Sequence, residues 1–213
     1  KQNFSIKVIY QSFLKSKIWD DRILKTLNLE DSDFLLHVGS FDKRKDLITL
    51  VKGFKLLKED RKNKHLKLVL AGQKTLNGNE EVLNELESYI FTNNLSKSVL
   101  MTGYLSNEEI TSLYKKAFIY VFPSLEEGFG IPVLEAFALK TPVVTSNAPA
   151  MVEVAQGAAE HYNAGDQVEL FKTLTKLIAS EPERTYLIEK GSERLKDFSR
   201  EKFVKDYEHL ILK

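Results

Sequence analysis

The sequence alternates short apolar runs with stretches of helical periodicity, and most of the runs stop at a glycine or a proline. Phe34-Leu-Leu-His-Val ends at Gly39, and apolar residues then recur at helical spacing between Leu47 and Leu57. Further apolar runs cover residues 66–71, 99–102, 118–122 and 142–145. Strands that alternate with helices in this way imply right-handed crossovers and a parallel sheet covered on both faces. We therefore predict an α/β fold with an open, doubly wound, Rossmann-like parallel sheet.

This fold class restricts where a ligand can bind. In open doubly wound sheets, ligands lie beyond the carboxyl ends of the strands. The candidate loops are therefore the ones that follow Val38, Ala71, Thr102, Phe122 and Thr145.

The two ends of the chain depart from the alternation. Residues 1–33 contain one predicted strand, Ile6 to Tyr10, and a polar helix around Asp20 to Leu27. Helical patterns fill the C-terminal part, with predicted helix starts at Asp166, Pro182 and Ser199. We predict three parts: a flanking segment at 1–33, a Rossmann-like domain at 34–198 and a last helix at 199–213.

Composition excludes several classes of site. The chain has 213 residues, with 31 Lys and Arg against 30 Asp and Glu, so it lacks the strongly basic face that nucleic-acid binding needs. It has no cysteine, which excludes disulfides and thiolate metal sites, and no apolar run approaches the ~20 residues that span a bilayer. The four histidines have no ligand spacing, and we predict a structural role for each: His37, His65, His161 and His209.

The loop after the run 118–122 carries the strongest functional signal. Gly128 and Gly130 bracket a phenylalanine, and a helix is predicted to begin at Pro132. Glycines let a backbone approach a ligand, and the free N–H groups of a helix start suit a phosphate. Glu127 lies in the loop, and Glu135 lies one turn into an otherwise apolar helix, where a ribose diol would satisfy its carboxylate. The alternative is that Glu135 faces solvent or pairs with a lysine.

Glu127-Gly-Phe-Gly, followed by Glu135, resembles the Glu-x7-Glu signature of the family 4 retaining glycosyltransferases. Other segments match that family in the same order along residues 34–212: Phe34-Leu-Leu-His-Val-Gly-Ser, Lys43-Arg-Lys, Leu68-Val-Leu-Ala-Gly, Leu100-Met-Thr-Gly-Tyr, Leu113-Tyr-Lys-Lys-Ala, Val121-Phe-Pro-Ser, Thr141-Pro-Val-Val-Thr-Ser-Asn and Met151-Val-Glu-Val-Ala. The resemblance implies the C-terminal, donor-binding half of a two-domain B-type glycosyltransferase, of the mannosyltransferase kind.

The resemblance also implies a role for individual residues. Lys45 and Arg44 would contact the donor diphosphate, Glu135 the ribose hydroxyls, and Glu127 the transferred sugar near its reacting carbon. Further donor-binding positions would be Gly39, Ser40, Tyr104, Leu105, Gly128, Phe129, Gly130 and Ile131. With these cations and a helix end, no divalent metal or other cofactor is expected, and no Asp-x-Asp pair occupies a matching loop.

Three positions depart from the family pattern. Ser40 stands where an arginine is frequent, so less positive charge is expected at the phosphates. Lys140 replaces a frequent glycine and Val152 a frequent proline, which puts loop geometry in doubt but not the fold.

The resemblance implies transfer of a hexose from a GDP- or UDP-linked donor to a glycan or lipid-linked acceptor, with retention of configuration. A nucleotide-binding module without transfer activity, a nucleotide-sugar epimerase of the same architecture and a non-enzymatic interaction domain are the alternatives. Because the chain begins with Lys1, we expect a fragment whose missing N-terminal domain binds the acceptor and to which the last helix crosses back. The expected location is the cytoplasm, including the periphery of the inner membrane face.

Overall fold

The computed structural model describes residues 8–13, 18–73 and 80–211. In these ranges a single sheet is formed by β1 (Phe34–Val38), β2 (Lys67–Ala71), β3 (Val99–Gly103), β4 (Ile119–Phe122), β5 (Val143–Ser146) and β6 (Glu160–Tyr162). The helices are α1 (Arg22–Thr26), α2 (Leu47–Glu59), α3 (Glu80–Thr92), α4 (Asn107–Lys116), α5 (Ile131–Ala138), α6 (Pro149–Ala155), α7 (Gln167–Ala179), α8 (Glu181–Arg194) and α9 (Arg200–Ile211).

The strands are parallel and run in the order β3-β2-β1-β4-β5-β6. Alternate residues of the central strands enter two separate hydrophobic cores, one on each face of the sheet. Leu36 and Tyr120 belong to the first core, and Leu35 and Val121 to the second. The predicted doubly wound α/β sheet is therefore confirmed.

Several helices begin at the capping residues and the first-turn proline that the sequence predicts. Ser106 and Glu109 form a capping box at α4, and the Asp166 carboxylate accepts from the first backbone N–H groups of α7. α5 begins at Ile131 with Pro132 in its first turn, where the missing N–H of proline costs no hydrogen bond.

The strand predicted near the N-terminus is wrong over the residues that the structure describes. Ile6 lies outside the described residues, and Val8 to Tyr10 are not in a strand. This segment instead packs across the domain, where the Phe13 N–H donates to the Phe198 carbonyl at 2.8 Å. The polar helix predicted around residues 20–27 is present as α1.

Candidate functional site

The order of the strands places the candidate site between β1 and β4. β1 pairs with β2 on one side and with β4 on the other, so successive connections leave this point in opposite directions. A crevice opens at such a switch point, beyond the carboxyl ends of the strands. The loop after β1 and the loop after β4 are the two walls of this crevice.

The loop after β1 is organised by Asp42. Its carboxylate accepts from the Ser40 hydroxyl at 2.7 Å and from the Arg44 N–H at 3.1 Å, and it caps a single 3₁₀ turn, Lys43–Lys45. The Arg44 guanidinium lies 3.6 Å from the same carboxylate, and its side chain is 60% exposed. Asp42 therefore offsets part of the positive charge of Arg44.

The two loops meet through a buried ion pair between Lys45 and Glu127. The Lys45 ammonium donates to Glu127 Oε1, and the two side chains are only 11% and 13% exposed. The ammonium also lies 4.7 Å from the ring centroid of Phe122. A backbone hydrogen bond of 2.7 Å, from the Leu125 N–H to the Arg44 carbonyl, fixes the two loops together. Two residues that sequence reasoning assigned separately are thus direct partners.

Gly130 shapes the start of α5. Its φ of +103° is a left-handed value, and a Cβ at this position would lie 2.5 Å from Met151 Cε. Gly128 is exposed and Phe129 is half-buried against the first core, while Ile131 is 43% exposed. The glycine loop, residues 124–130, therefore passes from the Glu127 pair directly into the free N–H groups of α5.

Glu135 faces two buried tyrosines. Burial raises the pKa of Tyr114 well above its usual range, and the charges and hydrogen bonds of Tyr120 and Glu135 raise it further. Burial likewise raises the pKa of Tyr120, to which the charges of both Glu135 and Glu127 contribute. The charges of both carboxylates thus act on Tyr120, whose hydroxyl is 3.5 Å from the Val38 carbonyl at the end of β1. That both carboxylates contact one donor stays a prediction.

The floor of the crevice is made of strand ends in close contact. The Gly39 N–H donates to the Ala71 carbonyl at 2.9 Å, and the Gly72 N–H donates to the Gly103 carbonyl at 3.1 Å. A Cβ on Gly72 would lie 1.8 Å from the Gly39 oxygen. These contacts leave the ends of β1, β2 and β3 side by side without side chains between them.

The positions predicted to frame a base lie on the far side of this floor. Tyr104 is 82% exposed, and Leu105 packs partly against the first core. Both follow β3, two strands from β1, a distance of roughly 10 Å at the usual strand spacing.

Sequence reasoning missed three residues that hold the site in place, Asp42, Tyr114 and Tyr120, and it gave His37 a structural role without placing it at the site. His37 is fully buried next to Gly39 and contacts the Val121 carbonyl through Nδ1 at 3.2 Å. Burial lowers the pKa of His37 to about 3, so the ring is neutral and Nδ1 is the donor. In the sequence, the position of His37 one residue before the end of β1 could have indicated that it supports the loop that follows.

Among the described residues, no group of three or more acidic or histidine side chains comes together as a metal site would require. In the same part of the chain, no helix combines the length and the apolar character needed to cross a membrane.

Two curated relatives share much of this sequence. The O-antigen chain mannosyltransferase RfbU of Salmonella typhimurium is 32% identical over 162 residues, which cover 76% of this chain and 41% of RfbU. The serotype-specific mannosyltransferase WbdA of Escherichia coli is 30% identical over 150 residues, covering 70% of this chain and 18% of WbdA. The chain spans less than half the length of either relative.

Solved structures show the same fold. Anabaena HepE, in complex with UDP and glucose, superposes with a TM-score of 0.81 at 19% identity, over 96% of this chain and 56% of HepE. The C-terminal domain of LpcC, a glycosyl transferase group 1 family protein from Francisella tularensis, superposes with a TM-score of 0.72 at 21% identity, over 89% of this chain and 94% of that one.

The family profile "Glycosyl transferases group 1" matches residues 20–194, which include each strand that the structure describes and the loops after β1 and β4. Because this match covers most of the chain, the chain belongs to the group 1 glycosyl transferases.

Proposed function

We propose that this chain is the donor-binding part of a retaining glycosyltransferase, which transfers a hexose from a nucleotide-diphosphate sugar to a glycan or lipid-linked acceptor. The observation that carries the proposal is the ion pair between Lys45 and Glu127 at the switch point of the sheet, just before the helix that bears Glu135. An acceptor site supplied by a further domain is part of the proposal.

The charges of the crevice suit the three parts of such a donor. The diphosphate would lie against Lys45, Arg44 and the N–H groups of the glycine loop and of α5. The ribose hydroxyls would donate to Glu135, whose partner Tyr114 stays protonated. The transferred sugar would contact Glu127. Nucleoside and sugar thus extend to opposite sides of the phosphates.

The same arrangement favours bond cleavage. Negative charge accumulates on the diphosphate as the glycosidic bond breaks, and fixed cations and N–H dipoles stabilise that charge without reorganisation. Lys45 is held by Glu127 and by the Phe122 ring, so its position is set before the reaction. These groups can supply the electrostatic stabilisation, and we propose transfer without a divalent metal.

The relatives favour one sugar and one class of acceptor. RfbU and WbdA are named mannosyltransferases, and RfbU is named for the O-antigen chain. Mannose and a glycan acceptor are therefore the first choices to test, with GDP and UDP both open as the nucleotide. Such donors would place the protein in the cytoplasm, at the inner membrane face where the acceptor is lipid-linked.

The test is calorimetric titration of the chain with GDP, UDP, GDP-mannose and UDP-glucose, repeated with Glu135→Gln. A charge-assisted hydrogen bond is worth about 1.5–3 kcal/mol, so the variant should bind about 10- to 150-fold more weakly. Glu126→Gln is the matched control, because Glu126 is an exposed neighbour in the glycine loop. No binding by the unmodified chain, or equal losses in both variants, contradicts the proposal.

A transfer assay separates an enzyme from a binding module. The full-length protein should release nucleoside diphosphate from the donor in the presence of a glycan acceptor. If the protein binds the donor but releases no nucleoside diphosphate when the acceptor is added, it is a nucleotide-sugar-binding module and the proposed transfer is wrong.

A further inference from the structure

Phe129, between the two glycines of the glycine loop, contacts two aromatic rings that come from distant parts of the described chain. Its ring centroid lies 6.2 Å from that of Tyr10 and 5.8 Å from that of Phe198, the second contact being edge-to-face at 80°. Tyr10 and Phe198 are themselves 5.0 Å apart. The three rings form a closed triangle, which we call the aromatic triangle, and each corner comes from a different part of the sequence.

Two corners of the triangle, Tyr10 and Phe198, are held by Arg194. This arginine is 8% exposed, and its guanidinium lies 5.3 Å from the Tyr10 ring and 4.7 Å from the Phe198 ring. It donates to the carbonyls of Val154 and Glu153, both at 2.9 Å, so it cannot shift without breaking contacts to α6.

Tyr10 is held by two further contacts of its own segment. Its hydroxyl donates to the Glu153 carboxylate at 3.1 Å, and the Phe13 N–H donates to the Phe198 carbonyl at 2.8 Å. The segment 8–13 is therefore attached to α6 and to the turn before α9, both of which are well packed.

The glycine loop has little other support on this side. A cavity of about 180 Å³ lies between Val8–Tyr10, the pair Gly128 and Phe129, and α6. A Cβ on Gly128 would meet no atom within 4 Å. Because the space on this side of the loop is not densely filled, the aromatic triangle is the main support of the loop here.

From this geometry we infer that Tyr10 is a positioning residue: through Phe129 it holds the glycine loop in the conformation that presents Glu127 and the loop N–H groups to the donor. The residues that lead into the domain thereby control the donor site without touching the donor. The link to donor affinity rests on the proposed function, whereas the link to loop conformation does not.

Hydrogen–deuterium exchange of the glycine loop tests the positioning directly. The loss of an aromatic contact by Tyr10→Ala should speed exchange of residues 124–130 by about three- to tenfold. Tyr10→Phe keeps the ring and should stay within about twofold of the unmodified chain. Trp19→Ala is the control from the same end of the chain, because its ring contacts Lys115 on α4, 3.1 Å from the ammonium, and not the loop.

Titration with GDP and UDP gives the second readout. Tyr10→Ala should weaken binding by about three- to tenfold, while Tyr10→Phe and Trp19→Ala leave it within about twofold. If Tyr10→Ala does not fold, Tyr10→Leu removes the ring and keeps most of the apolar volume.

The inference is overturned if loop exchange is unchanged in Tyr10→Ala, if Trp19→Ala speeds it equally, or if the loop loosens while nucleotide affinity is unaltered. If the unmodified chain binds neither nucleotide, the proposed function fails, and the exchange measurement still decides whether Tyr10 positions the loop.

Discussion

Gly72 is the position at which one methyl group should disturb the floor of the crevice most. A Cβ there would lie 1.8 Å from the carbonyl oxygen and 2.7 Å from the carbonyl carbon of Gly39. Both atoms belong to the backbone, so no side-chain rotation can relieve the clash. Gly72→Ala therefore requires the ends of β1 and β2 to move apart.

The magnitude follows from two contributions. A residue other than glycine at a φ of +153° costs about 1–3 kcal/mol, and forcing extra volume into a packed site costs about 1–3 kcal/mol more. The expected loss of stability is about 4 kcal/mol, close to the middle of the summed range. For a chain of this size, each kcal/mol lowers Tm by about 2–4 °C, so Tm should fall by about 8–16 °C.

Thermal unfolding followed by circular dichroism measures this change, and two other glycines provide a graded control. Gly103 has a φ of +75° and no atom within 4 Å of a Cβ, so Gly103→Ala should lose only the about 1–2 kcal/mol of a left-handed residue. Gly128 has neither a positive φ nor a close atom, so Gly128→Ala should melt within about 2 °C of the unmodified chain. If Gly72→Ala melts no lower than Gly103→Ala, the close approach of β1 and β2 is wrong.

Three further outcomes are expected. The pKa of His37 is lowered by burial from 6.5 to about 3, so between these values the unfolded chain binds more protons, and the free energy of unfolding should rise with pH by up to about 1.4 kcal/mol per unit. The free energy of unfolding, measured with urea between pH 4 and 7, should depend less on pH in His37→Leu than in the unmodified chain. An equal dependence on pH would contradict the neutral ring. Lys45→Met should weaken nucleoside diphosphate binding at least about tenfold in calorimetry, since it removes a charged donor, whereas Lys43→Met, an exposed neighbour, should change it little. Asp42→Asn should strengthen the same binding about two- to fivefold, because it releases the charge of Arg44; unchanged or weaker binding would show that the pairing does not restrain Arg44.

The alternation of runs and helices was sufficient to predict the fold. Five strands lie within one residue of their predicted bounds, because parallel strands buried on both faces are continuously apolar. β6 was missed, since it has only three residues, Glu160–Tyr162, of which only Tyr162 is buried. The predicted strand at Ile6 to Tyr10 is wrong over Val8 to Tyr10, because the Tyr10 ring packs into the aromatic triangle and its segment pairs with no strand.

The residues of the site were predictable, but their partners were not. Glu127 and Glu135 could be selected because carboxylates beside a glycine loop and on an apolar helix need donors. The pairing of Lys45 with Glu127 joins residues 82 positions apart and depends on β1 and β4 being neighbours. Tyr120 lies within a buried strand and has the sequence pattern of an ordinary core residue, so nothing local reveals that the charges of two carboxylates act on its hydroxyl. The assigned donor-binding roles themselves stay predictions.

The contact between Lys45 and Glu127 also bears on turnover. A phosphate that approaches this lysine must compete with a carboxylate already in place, so a free inorganic anion, which has no nucleoside or sugar to offer in exchange, should be a poor ligand. Under the proposed function, the same competition would act after transfer. Once the hexose had left Glu127, that carboxylate could pair fully with the lysine again and weaken the binding of the spent nucleotide, so that the site would contain its own competitor for product release.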